Sequence, residues 1–146
     1  VSNVLRRMQE SGYLLFIITN QSGVARGFLS LDRAQALNRH TETLLAAEGV
    51  HITRSYLCPH GPADDCLCRK PKPGMLLRAA EEFSIQLERS FMLGDKESDI
   101  LAGRAAGCRS IRIAPTGSAS SADWVAPDVS SACQWIEGLA QHTPQR

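Results

Sequence analysis

No apolar run in this chain approaches the roughly 20 residues needed to cross a bilayer, and the start lacks the pattern of a secretory leader. Neither a membrane partner nor an exported scaffold is expected. An excess of one charge is also missing. Sixteen Lys and Arg stand against 15 Asp and Glu, for a formal net charge of +1, which offers no bulk electrostatic footprint for nucleic acid. The five cysteines are an odd count, and three of them share one loop with a histidine. That composition favours a reducing compartment and a metal site over a disulfide framework, with the cytoplasm as the expected location. No internal repeat and no boundary-like change of composition divides the 146 residues, so residues 1–146 are expected to form one domain, with 141–146 as a frayed tail. Small size and the lack of an obvious exposed apolar stripe make a monomer the expected state. A starting methionine is missing as well. The chain opens inside "VSNVLRRMQESG", where Val1, Val4, Leu5 and Met8 already recur at helical spacing before Gly12 supplies a stop, so a segment missing upstream is expected.

What the chain does contain is an alternation of strands and helices. "YLLFIIT", residues 13–19, is short and nearly all apolar, the pattern of a strand buried on both faces of a parallel sheet. A glycine-bearing loop, "NQSGVARGF", leads to Ser30, a cap for the helix "LDRAQALNRHTETLLAAEG", whose expected apolar face is Ala34, Leu37, Leu44 and Leu45. "HITRSYL" is a second strand, and Pro73 precedes the helix "GMLLRAAEEFS". "RSFMLGD" and "CRSIRIA" are strands flanking the helix "KESDILAGRAAG". "DWVA" fits a short edge strand, and "SSACQWIEGLAQ" fits a closing helix. The fold class is α/β, a parallel sheet with helices on both faces, and ligands bind such sheets at the carboxyl ends of the strands. Thr19 and Asn20, Cys58 through Lys72, and Asp95 all fall at such ends.

The loop "CPHGPADDCLC" carries Cys58, His60, Cys66 and Cys68 in a C-x-H-x5-C-x-C pattern. Three thiolates and an imidazole suit a closed, tetrahedral, structural zinc site. With every ligand position filled, the ion is a clasp rather than a catalyst, and Cys108 and Cys133 remain as ordinary buried thiols. The clasp ends one residue before "RKPKPG", so it fixes where Arg69, Lys70 and Lys72 point, and an anion-binding role is expected of that run. "TNQSG" adds a hydroxyl, an amide and free backbone N–H groups at a strand end, which suits a phosphoryl group, although such residues are also ordinary loop chemistry. "GDKESD" places Asp95 and Asp99 on one face of a helix's first turn. Helix capping explains acids there, and so does a hard cation such as magnesium beside a phosphate, with Lys96 as a further anion contact. A hydroxyl, cations and carboxylates gathered on one edge fit phosphoryl transfer.

"FIITNQSGVARGF", "CPHGPADDCLCRKPKPGM" and "FMLGDKESDI", in that order, resemble the haloacid dehalogenase (HAD) superfamily of phosphatases. Within it they resemble the D-glycero-D-manno-heptose 1,7-bisphosphate 7-phosphatase family. The resemblance runs from about Val1 to Ile113. It implies a HAD-like fold and a magnesium-dependent phosphatase acting on a phosphosugar in lipopolysaccharide-heptose precursor synthesis. It also implies that Thr19 and Lys70 stabilise the transferring phosphoryl group, and that Asn20, Gln21, Ser22, Arg69 and Lys96 contact substrate. Asp95 is implied as a magnesium ligand with Asp99 behind it, and Cys58, His60, Cys66 and Cys68 as the zinc ligands. Histidinol-phosphatase shares the zinc loop and is the nearest alternative, while "TNQSGVARG" and "RKPKPGM" lean toward the heptose family. A polynucleotide 3′-phosphatase resembles "TNQSGVARG" but lacks the cysteine clasp.

One departure is large. The superfamily's nucleophile and acid/base are aspartates in a DxDGT-like motif on a first, central strand, and no aspartate here precedes Asp32. The resemblance therefore implies that this strand is absent from the chain, through truncation or through loss in a zinc-clasped phosphosugar-binding module. As written, the chain is expected to be inactive as a phosphatase. It is also expected to fold poorly alone, with an unpaired gap in its sheet.

Overall fold

The computed structural model describes residues 1–142. Helix α1 spans Ser2–Glu10 and buries Val4 and Met8, four residues apart and so on one face. Strand β1 (Leu15–Asn20) pairs in parallel with β2 (Ile52–Cys58), from Leu15 opposite Ile52 to Asn20 opposite Cys58. Between them runs α2 (Leu31–Ala47), started by Ser30, whose Oγ accepts from the Arg33 amide at 3.1 Å. After the cysteine loop come α3 (Gly74–Phe83), β3 (Phe91–Gly94), α4 (Glu97–Ala106) and β4 (Arg109–Ile113). The chain continues through β5 (Trp124–Ala126) into α5 (Val129–His142). The expectation of a frayed tail falls partly on α5, which runs through residue 142, and partly on 143–146, outside the described residues.

All pairings are parallel, but they form two sheets, β1–β2 and β3–β4–β5, the second with β5 at its edge as "DWVA" suggested. Among the described residues no strand pairs with the second edge of β1 or with the outer edge of β3. Helices bind the halves together. On one side Val4 and Met8 of α1 join Ile111, Ala126, Ala132, Cys133 and Ile136, with Leu15 of β1 and Phe91 and Leu93 of β3 against the same cluster. On the other side α3 closes over β1 and β2, where Met75 and Ala79 meet Tyr56, Cys58, Phe16 and Ile18. The alternation of side chains along β1 is what feeds both clusters: Leu15 faces one and Phe16 the other.

Two sequence expectations need correction. Strand β1 is not fully buried on both faces; all six of its residues are half-buried, and among the described residues only one of its edges is paired. The apolar face of α2 is also not a core face. Ala34 is buried, whereas Leu37 and Leu44 are 46% and 57% exposed, since the helix packs chiefly on β2 of a two-stranded sheet. The buried thiols are as expected: Cys108 and Cys133 are free and buried, and burial raises both.

Candidate active site

The strand ends deliver their polar residues to one cavity of about 630 Å³. Strand β1 contributes Thr19, with Asn20 and Ser22 just beyond it. The loop after β2 contributes Asp64, Cys66, Arg69, Lys70 and Lys72, and the turn after β3 contributes Asp95, Lys96, Ser98 and Asp99. Four cations and three carboxylates thus line a single cleft. Of the residues singled out in the sequence as catalytic or substrate-binding, all but Gln21 line it; of the zinc-ligand candidates, only Cys66 does. The Gln21 side chain accepts instead from the Gly23 amide at 3.3 Å, closing the turn after β1.

Lys70 is the most constrained cation. Its ammonium donates to the Ile18 carbonyl at 3.0 Å and to Asp99 Oδ1 at 2.5 Å. The two charged side chains are 11% and 9% exposed. Asp99 also accepts the Lys96 amide through Oδ2 at 3.2 Å, so from the third position of α4 it reaches back to the N-cap residue, Lys96, as well as serving as the counter-ion of Lys70. Gly94 allows this, since a Cβ there would overlap the Asp99 side chain. Asp95 is exposed and has no hydrogen-bond partner among the described residues. It lines the cleft together with Lys96 and Ser98.

The four soft donors come together as the spacing predicted. Cys58 Sγ, His60 Nδ1, Cys66 Sγ and Cys68 Sγ all lie within 4.8 Å of one another. A tetrahedral ion with bonds of about 2.3 Å to sulfur has S–S edges of about 3.8 Å. Cys58–Cys66 is 3.8 Å, and the sulfur–nitrogen separations Cys58–His60 and His60–Cys68 are 3.4 and 3.2 Å. Cys58–Cys68, at 2.6 Å, is shorter than that edge, so a bound ion would part these two sulfurs by about 1 Å. The thiols also divide electrostatically. Burial opposes ionisation of Cys66, yet the Arg69 backbone and the neighbouring sulfurs outweigh it and lower its pKa, while burial and the same cluster push Cys68 up. Thiolates this close cannot all carry charge unless a cation lies among them. The donor set fits zinc.

This loop is mechanically tied to the basic run that follows it. Arg69 Nη1 donates to the His60 carbonyl at 3.2 Å, and Lys72 Nζ to the Cys66 carbonyl at 2.6 Å. The first residue of α3, Gly74, sits so close to the Leu67 carbonyl that a Cβ would collide with it.

Sequence reasoning missed Glu97, the first residue of α4. Its carboxylate accepts from Arg112 Nη1 at 3.0 Å, Ser120 Oγ at 2.8 Å, the Ser121 amide at 2.8 Å and the Ser121 hydroxyl. The Ser121 bonds, with Ser120 and Arg112 adding to them, hold Glu97 down at about 2. The loop at 115–122 is thereby anchored to the turn that carries Asp95. Asp64, which bonds the Gly61 amide at 2.7 Å, and Ser98 were also overlooked as cleft residues. Their signal, a polar residue among ligands or in a helix's first turn, is too common to single out.

A HAD-hydrolase-like family model matches residues 67–133. A D-glycero-beta-D-manno-heptose-1,7-bisphosphate 7-phosphatase of Helicobacter pylori J99 is 47% identical over 104 residues, covering 70% of this chain and 60% of that one. The enzyme of the same name from Yersinia pestis is 37% identical over 138 residues, 86% of this chain and 73% of its own length. The chain belongs to the HAD-like heptose-1,7-bisphosphate 7-phosphatase family. Membership agrees with the three motifs quoted above and with the parallel α/β architecture. The D,D-heptose 1,7-bisphosphate phosphatase of B. bronchiseptica, solved with magnesium and phosphate, superposes with a TM-score of 0.80 at 28% identity, over 97% of this chain and 82% of that one. The chain spans 60 to 65% of the length of the first two heptose-bisphosphate phosphatases it matches.

Proposed function

We propose that this chain is the phosphate- and metal-binding part of a HAD-type, magnesium-dependent phosphatase acting on a sugar bisphosphate, D-glycero-D-manno-heptose 1,7-bisphosphate, in lipopolysaccharide-heptose precursor synthesis. The observation that carries the proposal is the shared cleft: Thr19, Arg69, Lys70 and Lys96 stand in it with Asp95. In this reading Thr19 and Lys70 receive the oxygens of the transferring phosphoryl group. Arg69, held by the His60 carbonyl, and Lys96 take the rest of the phosphosugar, with Ser22 at the rim. Asp95 would hold magnesium, with Asp99 behind it, and Cys58, His60, Cys66 and Cys68 would hold a structural zinc. When bound, magnesium supplies positive charge to the phosphoryl oxygens and the zinc supplies rigidity to the loop. Residues 1–146 belong to a single HAD-like hydrolase domain, in a protein that is a monomer.

The cleft's three carboxylates are Asp64, Asp95 and Asp99. Asp64 is engaged by the Gly61 amide and Asp99 by Lys70 and Lys96, and Asp95 is the one proposed for the cation. None is therefore assigned as nucleophile, and the 146-residue chain alone is expected to turn over no phosphate monoester. The test is a phosphate-release assay with magnesium, run on this chain and on the whole gene product that carries it. The substrates are heptose 1,7-bisphosphate and histidinol phosphate. Preference for the bisphosphate by the gene product supports the proposal, and preference for histidinol phosphate transfers the assignment to that relative. Phosphate binding without hydrolysis by either protein makes it a binding module. Turnover by the 146-residue chain would refute the account of its carboxylates.

A further inference from the structure

Asn20 lies at the end of β1, and its position in the cleft invites the reading that it touches substrate. Its bonds point elsewhere. Asn20 Oδ1 accepts from the Lys70 amide at 3.1 Å, and Asn20 Nδ2 donates to the Lys70 carbonyl at 3.2 Å. Asparagine is suited to this because one planar amide carries a donor and an acceptor side by side. A serine carries its donor and acceptor on one oxygen and cannot span the two backbone groups, and an ionised aspartate cannot donate. The partners also fix which atom is which, since a backbone N–H requires the oxygen and a backbone carbonyl requires the nitrogen.

We infer that Asn20 is a positioning residue, whose side-chain amide grips both polar atoms of the Lys70 backbone and so aims the Lys70 ammonium into the cleft. The inference rests on the phosphate-binding reading above. The grip is firm at both ends. Asn20 is the last residue of β1, and the next amide, Gln21, donates to the Cys58 carbonyl at 2.8 Å, extending the β1–β2 ladder past it. On the other side, Arg69 is held by the His60 carbonyl and the Lys72 amide donates to the Arg69 carbonyl at 2.9 Å. Between these anchors the Lys70 backbone is fixed against β1, and its side chain then has the length to reach Ile18 and Asp99 at 3.0 and 2.5 Å. Asn20 thus spends both kinds of polar atom on the protein before any ligand arrives, and its effect on an anion passes through Lys70.

A double-mutant cycle tests this, with inorganic phosphate in saturating magnesium as the probe and NMR titration of the zinc-loaded chain as the measurement. Asn20→Ala is expected to weaken phosphate binding on the order of tenfold, a coupling typical of residues in contact. In a Lys70→Ala background the same change is expected to do nothing measurable, because the cation it positions is gone. An equal loss in both backgrounds would mean that Asn20 meets the ligand directly, and would overturn the inference while leaving the phosphate site standing. No effect of Lys70→Ala alone would overturn the site and the inference together. Amide exchange supplies a readout that needs no ligand: in Asn20→Ala the Lys70 amide should exchange faster while the Gln21 amide stays protected. An unchanged Lys70 amide would show that the grip is absent. Asn20→Asp, which keeps the volume but sets an oxygen against the Lys70 carbonyl, provides the same cycle should the alanine variant lose Gln21 protection.

Discussion

Cys66 is the residue on which the clasp can be tested most directly. Zinc in small peptides contributes on the order of 10 kcal/mol, and its ligands fold only around it. Cys66→Ser removes one of three sulfurs from a donor set whose atoms lie within 4.8 Å of one another. The variant is expected to lose bound zinc and to melt several kcal/mol less stably, measured by metal analysis and thermal unfolding; unchanged zinc content would dismiss the clasp. Gly94→Ala probes the other half of the cleft. Its methyl would occupy the space of the Asp99 side chain, forcing apart the Lys70–Asp99 pair, and overpacking of this kind costs about 1–3 kcal/mol. A variant as stable as the parent would show that Asp99 has room to move. These residues were legible to different degrees. The cysteines announce themselves by their local spacing, whereas Thr19, Lys70 and Asp95 gain their assigned roles only because their short segments together resemble the motifs of one family. The clamp of Asn20 on Lys70 joins residues 50 apart, and no spacing along the chain encodes it.

At the scale of elements, strand and helix order was readable from apolar periodicity, and burial was not. The apolar run of β1 and the leucines of α2 carry the pattern of core elements, yet burial depends on what covers an element, and that is a property of the assembled sheet. The loop at 115–122 shows the same limit. It reads as turn-rich and bland, while Ser120 and Ser121 converge on Glu97, the first residue of α4. This tie has a pH signature. Glu97 titrates near 2 when folded against a usual value of 4.5. Its contribution is therefore complete above about pH 4.5 and is lost as the pH falls toward 2. Glu97→Gln should flatten the decline of melting temperature across that window. Asp128 and Glu137, also held low by Ser131 and Arg7 respectively, keep their own share of the slope. Parallel melting curves for parent and variant in that range would exclude Glu97 as an anchor.

For the molecule as a whole, the deciding feature is that, among the described residues, the two sheets share no strand-to-strand hydrogen bonds. What spans them is the α1–α5 cluster, the edge-on contact of Tyr13 with Phe91 at 6.3 Å between ring centres, and the bridge from the Ile18 carbonyl through Lys70 to Asp99. These are side-chain links, each breakable without disturbing a ladder, so the halves should open with different free energies. The β3–β4–β5 half has Ile100, Ala102, Ile111, Ala126 and Ala132 fully buried, and α4 and α5 pack against its strands. The β1–β2 half buries Val50 and Cys58 fully but leaves Leu31, Leu37 and Leu44 of α2 more than 40% exposed. Native-state amide exchange should accordingly find slower exchange at Ile111 and Ile100 than at Ile17 and Tyr56, with heat or denaturant opening β1–β2 first. Phosphate with magnesium is expected to narrow that difference, because the cleft draws Thr19 from one half and Asp95 and Lys96 from the other, and a ligand held by both stabilises only the state in which they are joined. Uniform protection in the free protein, or a ligand effect confined to one half, would show that the two sheets already behave as one cooperative body.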